Sequence, residues 1–417
     1  MASGGADQIA ERAADARWMR MALALAARRV GLVAPNPAVA ALLVREGRLL
    51  GRGVTAMGGR PHAETEALAM AGRLGASVAG ATAYVTLEPC AHHGLTPPCA
   101  DALARAKIAR LVCPLEDPDP RVAGRGFAML RDAGVVVETG VLAAEARRVN
   151  AGFLSRLERG RPHLTLKLAT SLDGRIATAA GESRWITGEA ARRRVHLMRL
   201  RADAVMVGAG TARVDDPALT VRGFGEGARS PLRIVIDPRL TLPPAGTLVR
   251  SARETPVLAV HGDGVAEAAT ARLADAGVRL LRCPYLDADA APERPPLGSV
   301  GHGASQAAAL TTPMAAEAAR ETLDLRWMLD ALGAEGIGTV FCEGGAGLAA
   351  ALLRADLVDR LVVFSAGLAL GAEGHAGLGS LGIDPLAAAP RFTLAQTETV
   401  GGDVMAAWER APRPPTE

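Results

Sequence analysis

A strand–helix alternation runs along almost the whole chain, and it starts twice. VAALLV (39–44) reads as a buried strand that turns through Glu46-Gly47 into RLLGRGV. A helix is expected from about 62 to 74, then the strand AYVTLEP (83–89), a helix opened by Cys99 and running to about 107, and the strand RLVCPLE (110–116). A helix near 124–134 and the short strand VVVETG (135–140) complete a β-β-α-β-α-β-α-β order. Apolar runs of strand length separated by helical periodicity predict a three-layer α/β domain. Ahead of it, residues 1–14 read as a loose leader, 15–31 as an amphipathic helix ending at Gly31, and APNP (34–37) as a turn. The segment 144–162 reads as a helix plus linker and places a domain boundary near 150–162.

The alternation then restarts. Strands are expected at HLTLKLATS (163–171), DAVMVG (203–208), LRIVIDP (232–238), PVLAV (256–260), RLLRCP (279–284), GTVFCEGG (338–345) and RLVVFSA (360–366), with helices near 189–200, 265–276, 322–333 and 346–354. This is a second α/β domain. Residues 285–320 are rich in Pro, Ala and Gly without a clear period and read as a flexible insertion.

Composition narrows the function. Aromatics make up only 3% of the 417 residues, which argues against base-stacking nucleic-acid surfaces. A net charge of +3 is too mild for a DNA-binding protein. The run RRRVHLMRLR (192–201) offers arginines either to a phosphate or to a solvated helix face. Five cysteines in a chain of this length do not form a disulfide framework. MALALAA (21–27) reads as part of a buried helix, and no apolar run approaches the roughly 20 residues of a membrane span. The expectation is a reduced, soluble, cytoplasmic protein.

The densest stretch is TLEPCAHHGLTPPC (86–99). Eight residues separate Cys90 from Cys99, so this is not a CxxC redox motif. Upstream, PHAETEAL opens a helix with His62, and Glu64 follows two residues later, about 200° round the helix. A helix N-terminus suits the Cys99 thiolate. A strand end and two helix starts can converge at one sheet edge, giving His62, Cys90 and Cys99 as three ligands with the fourth position open to water, the arrangement of catalytic zinc. Glu64 would then shuttle protons. The alternative is a closed structural site in which His92 or His93 supplies a fourth ligand. The H-x-E and P-C elements fit the zinc-deaminase pattern, although the spacing between the cysteines is longer here.

H-A-E followed by T-L-E-P-C-x-H-H-G-x-T-P-P-C resembles the deaminase half of the bifunctional riboflavin-biosynthesis deaminase/reductases of the RibD type. Asn36-Pro37 and EDPDPRVAGRG (116–126) are similar to the same family's pattern, whereas Leu95 stands where a basic residue is common and Ala40 where Gly is common. The resemblance implies a cytidine-deaminase-like fold, zinc on His62, Cys90 and Cys99, and Glu64 as proton shuttle.

Read alone, the second half is less specific. FCEGGAGLAAALL (341–353) is a strand, a glycine-rich turn and a helix, suited to a dinucleotide phosphate or simply to a tight turn. K-L-A-x-S-L-D-G-R, G-E-S-x-W-I-T, D-D-P-x-L-T-V-R and E-G-G resemble the reductase half of the same family, extending the likeness from about residue 15 to 410 apart from the 285–320 insertion. It implies a dihydrofolate-reductase-like domain that uses NADPH. Ala169, Trp185, Thr211 and the run Gly345, Ala346, Gly347, Leu348, Ala349, Ala350, Ala351 would contact NADPH. Ser183, Arg199, Asp215, Leu219, Arg222 and Glu343 would contact substrate. Apart from the resemblance, Lys167 is near enough in sequence to be a candidate proton donor. Arg199 and Arg222 are forked donors suited to a ribose phosphate. The resemblance thus implies a zinc deaminase domain (15–155) and an NADPH reductase domain (160–412) acting on one phosphorylated pyrimidine, in an enzyme expected to be a homo-oligomer with no nucleic-acid or membrane partner.

Overall fold

The computed structural model describes residues 3–92, 97–225, 228–286 and 322–411. By internal contacts the chain forms two compact units, one of Met1–His163 with Leu200–Asp203 and Leu332–Val340, the other of the remaining segments.

In the first unit, α1 (Ser3–Ala26) precedes β1 (Ala40–Arg45), β2 (Arg48–Val54), α2 (Ala63–Arg73), β3 (Thr82–Val85), α3 (Cys99–Arg105), β4 (Arg110–Cys113), α4 (Arg125–Asp132), β5 (Val136–Thr139), α5 (Ala143–Val149) and α6 (Ala151–Arg159). The helix at the start is longer than expected: residues read as a loose leader continue it back to Ser3. The strands form one sheet in the order β2-β1-β3-β4-β5. β1 is buried along almost its whole length, as a continuous apolar run must be. The expected hairpin is present, because Glu46 and Gly47 take the two positive φ values that a two-residue turn requires and Arg45 pairs with Arg48. β3, β4 and β5 run parallel.

α2 lies almost on the backbone of β2. A Cβ at Gly53 would stand 2.1 Å from the carbonyl oxygen of Ala63, and one at Gly51 2.3 Å from that of Ala67. These glycines bring the start of α2, and with it His62 and Glu64, down onto the sheet. Buried Asp15 ties α1 to the sheet by accepting from the Tyr84 hydroxyl at 2.7 Å and from Arg110 at 2.9 and 2.7 Å.

The rest of the chain, most of it in the second unit, contains β6 (His163–Thr170), β7 (Arg175–Ala177), α7 (Glu189–Leu200), β8 (Ala204–Gly208), α8 (Ala209–Asp215), β9 (Leu232–Ile236), α9 (Thr247–Arg250), β10 (Val257–His261), α10 (Glu267–Asp275) and β11 (Arg279–Arg282). There follow α11 (Leu325–Ala334), β12 (Thr339–Cys342), α12 (Ala346–Arg354), β13 (Arg360–Ser365), β14 (His375–Ala376), β15 (Phe392–Val400) and β16 (Asp403–Arg410). Nine strands form a sheet in the order β11-β10-β9-β8-β12-β6-β13-β16-β15. β8 to β11 pair in parallel, β6 pairs in parallel with β13, and β13-β16-β15 are antiparallel.

The β15–β16 hairpin was not expected from the sequence. Its outer strand is polar and mostly exposed, which hides the strand period. The residues that follow β8, Ala209–Asp215, form the short helix α8. Of the insertion read at 285–320, Tyr285 bridges antiparallel to Leu323 and Leu286 N–H donates to Thr322 O at 2.8 Å; residues 287–321 lie outside the described residues, as do Leu95 and His93. No helix among the described residues is long and apolar enough to cross a membrane.

Candidate metal centre and reductase site

His62 stands at the N-cap of α2, Cys99 is the first residue of α3, and Cys90 lies five residues past the end of β3. The path from β3 to Cys90 is held on both sides: Thr86 N–H donates to Ala40 O, Ala40 N–H donates to Thr86 Oγ1, and Glu88 N–H donates to Leu115 O. His62 Nδ1 is 3.3 Å from Cys99 Sγ and 3.6 Å from Cys90 Sγ, and all three donor atoms lie within 4.8 Å of one another. Those separations suit the edges of a tetrahedron with metal–ligand bonds of about 2.0–2.3 Å, and a nitrogen with two sulfurs is a zinc donor set. The residues therefore fit zinc. His92 is not a member of this group, so the alternative of a closed four-ligand site gains no ligand from it.

The electrostatics follow from burial and closeness. Cys90 is brought down to about 4, chiefly by the hydrogen bond from the Cys99 side chain, with the Cys99 backbone N–H donating to its sulfur at 3.3 Å. Cys99 is pushed up in turn, because a thiolate already stands beside it. His62 is raised, mainly by its hydrogen bond to Cys90. Glu64 is 4% exposed and is pushed up to about 7 by burial. A carboxyl poised there can both take and give a proton near neutral pH.

In the second unit, alternate residues of β6 are buried, which puts Lys167 and Ala169 on its other face. Glu343, just past the end of β12, donates its N–H to Met206 O at 2.8 Å. Its carboxylate receives Arg199 Nε at 2.5 Å and Nη2 at 3.1 Å, while Lys167 Nζ stands 3.9 Å away. Burial raises Glu343, but the Arg199 charge and hydrogen bonds outweigh it and hold the group below the ordinary value. Lys167 is lowered, chiefly by burial.

Asp215 ends α8, and the loop after it, which carries Leu219 and Arg222, is pinned at several residues. Asp216 accepts from Thr247 N–H and Oγ1, Arg233 Nη1 donates to Ala218 O, Arg199 Nη1 donates to Thr220 O, and Arg222 N–H donates to His196 Nδ1. Leu219 is buried with φ of 53°, a conformation such anchoring must sustain. His196, one turn before Arg199 on α7, was not singled out in the sequence; the i, i+3 spacing is the signal that would have found it. The arginine run divides its work: Arg192 lies over the exposed Trp185 ring at 4.4 Å, Arg194 pairs with Glu398, and Arg199 holds Glu343.

α12 starts after Gly345, which gives no side-chain cap, and a Cβ at Gly347 would meet nothing within 4 Å. The free N–H groups of a helix start can receive an anionic phosphate, and Thr211 Oγ1 lies 3.3 Å from where a Cβ on Gly345 would stand. These residues fit a dinucleotide cofactor. Ala349 and Ala350 are buried in the packed face of the helix, which leaves Gly345 to Leu348 and Ala351 as the more open parts of the run. Ser183 and Trp185 lie together in the loop before α7. Cys113, Cys283 and Cys342 are buried, and burial pushes their thiols up.

Fold and sites define a zinc-binding deaminase domain joined to a dihydrofolate-reductase-like domain. A family model described as the cytidine and deoxycytidylate deaminase zinc-binding region matches residues 12–115, and the RibD C-terminal domain matches 162–406. The riboflavin biosynthesis protein RibD of Escherichia coli is 39% identical over 402 residues, 94% of this chain and 98% of that protein. That of Aquifex aeolicus is 35% identical over 399 residues, 96% and 99%. Among solved structures, Acinetobacter baumannii RibD superposes with a TM-score of 0.76 at 33% identity, covering 96% of this chain and 100% of that one. A diaminohydroxyphosphoribosylaminopyrimidine deaminase/5-amino-6-(5-phosphoribosylamino)uracil reductase from Thermotoga maritima gives 0.77 at 27% identity, with the same coverage. The chain belongs to the RibD family of bifunctional deaminase/reductases of riboflavin biosynthesis. Zinc serves its deaminase domain and NADPH its reductase domain.

Proposed function

We propose that residues 15–155 hydrolyse the 2-amino group of 2,5-diamino-6-(5-phosphoribosylamino)pyrimidin-4(3H)-one, and that residues 160–412 then reduce the ribosyl group to ribityl, giving 5-amino-6-(5-phosphoribitylamino)uracil. The observation that carries the first step is the convergence of His62, Cys90 and Cys99 beside the buried carboxyl of Glu64.

In this reading His62, Cys90 and Cys99 hold the metal, and zinc supplies the Lewis acidity that makes water a nucleophile at neutral pH. Glu64 takes the proton from the attacking water, passes it to the ring nitrogen, and delivers a second to the departing amine, so that ammonia leaves neutral. Its burial keeps its proton affinity high enough for both transfers.

In the second half NADPH supplies the hydride, and the chain supplies position and charge. Ala169, Trp185, Thr211 and the stretch from Gly345 to Ala351 seat the cofactor, with Gly345 to Leu348 nearest to it. Ser183, Asp215, Leu219, Arg222 and the Arg199–Glu343 pair orient the phosphoriboside, and Lys167 gives the proton. The substrate is thus a small phosphorylated pyrimidine. We place the enzyme in the cytoplasm as a homo-oligomer, with no nucleic-acid or membrane partner.

The test follows ammonia release and NADPH absorbance with the diaminopyrimidine phosphoriboside, for wild type and Glu64→Gln. Both signals in wild type, and loss of both in the variant with zinc retained, support the sequence of steps. Ammonia without NADPH consumption removes the reductase assignment, and neither signal in wild type overturns the whole reading.

A further inference from the structure

Glu88 has no part in the chemistry above, yet it is 4% exposed and its carboxylate accepts four backbone N–H groups. Oε2 accepts the backbone N–H groups of Asp117 at 3.1 Å and Gly124 at 3.0 Å, and Oε1 those of Gly126 at 2.9 Å and Phe127 at 3.2 Å. Gly126 and Phe127 are the second and third residues of α4, whose N-cap Gly124 has a left-handed backbone and no side chain to cap with. A helix start leaves several N–H groups without acceptors and carries partial positive charge. Glu88 supplies the missing acceptor from another part of the chain, two residues before the zinc-site residue Cys90.

The contact is also steric. A Cβ on Gly126 would stand 2.0 Å from Pro89 O, so the loop rests directly on the backbone that leads into Cys90. Within the loop, Asp117 Oδ1 accepts Asp119 N–H at 2.9 Å, and Asp119 holds Arg121 through both carboxylate oxygens. Asp119 is lowered mainly by those Arg121 bonds. His92 Nδ1, two residues past Cys90, is buried without a hydrogen-bond partner among the described residues.

We propose that Glu88 is a positioning residue of the deaminase: by capping α4 it sets the loop 117–127 as a wall of the zinc pocket, facing the Cys90–His92 segment, and so fixes where the pyrimidine sits. This rests on the deaminase reading. The wall binds ground state and transition state alike, so its displacement raises KM more than it lowers kcat.

The experiment uses the full-length zinc protein. Glu88→Gln keeps the shape but turns an NH2 group toward two of the four N–H donors. Gly126→Ala lifts the same loop off Pro89 with Glu88 intact, and reports even where Glu88→Gln yields no soluble protein. Deamination kinetics, zinc content, hydrogen exchange of the amides at 117, 124, 126 and 127, and NADPH-dependent reduction of the already deaminated phosphoriboside are measured for each. The expected result is faster exchange at those amides and a KM for deamination raised about tenfold or more, with kcat within about threefold, full zinc and unchanged reduction. Faster exchange with an unchanged KM overturns the proposal and leaves the deaminase reading standing. Loss of zinc in both variants makes Glu88 a structural support of the metal site and also overturns it. No ammonia from wild type overturns the parent reading and this proposal with it.

Discussion

Arg199 meets Glu343 as a two-pronged fork on a carboxylate, at 2.5 and 3.1 Å, with its third donor on Thr220 O. One guanidinium thus ties the end of β12 to the loop before β9. A lysine keeps the charge and loses the fork. Arg199→Lys is expected to lower kcat/KM for reduction by about tenfold or more, while ammonia release stays at the wild-type rate. NADPH oxidation with the deaminated phosphoriboside measures it. An unchanged rate would show that the pair only braces the fold.

Removing zinc should separate the two activities. Chelation is expected to abolish ammonia release and spare NADPH-dependent reduction, with deamination returning on zinc addition. Cys99→Ser should keep less than one zinc per chain, because a thiolate in the donor set is replaced by a weak ligand. Metal content by atomic absorption, read beside both assays, gives the answer.

Asp117 offers a test of burial against solvation. Its carboxyl is pushed up to about 6 from 3.8, chiefly by burial. Between those two values the folded state holds the proton more tightly than the unfolded chain, so this group's contribution to stability is full below about pH 4 and is lost as pH rises through 6. The whole effect is at most about 3 kcal/mol. Asp117→Asn removes it, so the stability difference between wild type and variant should shift against wild type from pH 4 to pH 7. Denaturant midpoints across that range check the sign, and a constant difference would refute the assignment.

Trp185 is 69% exposed and carries the Arg192 guanidinium on its ring. An exposed ring held flat by a cation is a stacking platform, worth about 0.5–1 kcal/mol for that cation alone. Trp185→Ala is expected to raise the KM for NADPH several-fold and to leave deamination untouched. Quenching of Trp fluorescence by NADPH, present in wild type and reduced in the variant, would accompany it.

The positions of strands and helices were largely legible because the apolar runs of β1, β4, β8 and β10 are buried on both faces and have few polar interruptions. The β15–β16 hairpin was not read, although Gly401-Gly402 between two strands is a turn signal; the polar stretch QTET gave no buried face to register. The motif pattern also led to the three donor atoms that the fold brings together. The pattern could not reveal Glu88, whose four partners begin 29 residues away and are all backbone N–H groups, which no side-chain spacing encodes. His196 escaped for a related reason: its partner is the backbone of Arg222.

The two sheets differ in how much chain each needs. Every strand of the five-stranded sheet lies between residues 40 and 139, whereas β6 pairs with β13 across nearly two hundred residues and β13 then pairs with β16 at the far end. Long loop closure is slow and cannot begin before both partners exist. On the ribosome the deaminase sheet is therefore complete while the reductase sheet still waits for its inner strand's neighbour, and a messenger cut short before codon 360 should yield a chain that releases ammonia and never consumes NADPH.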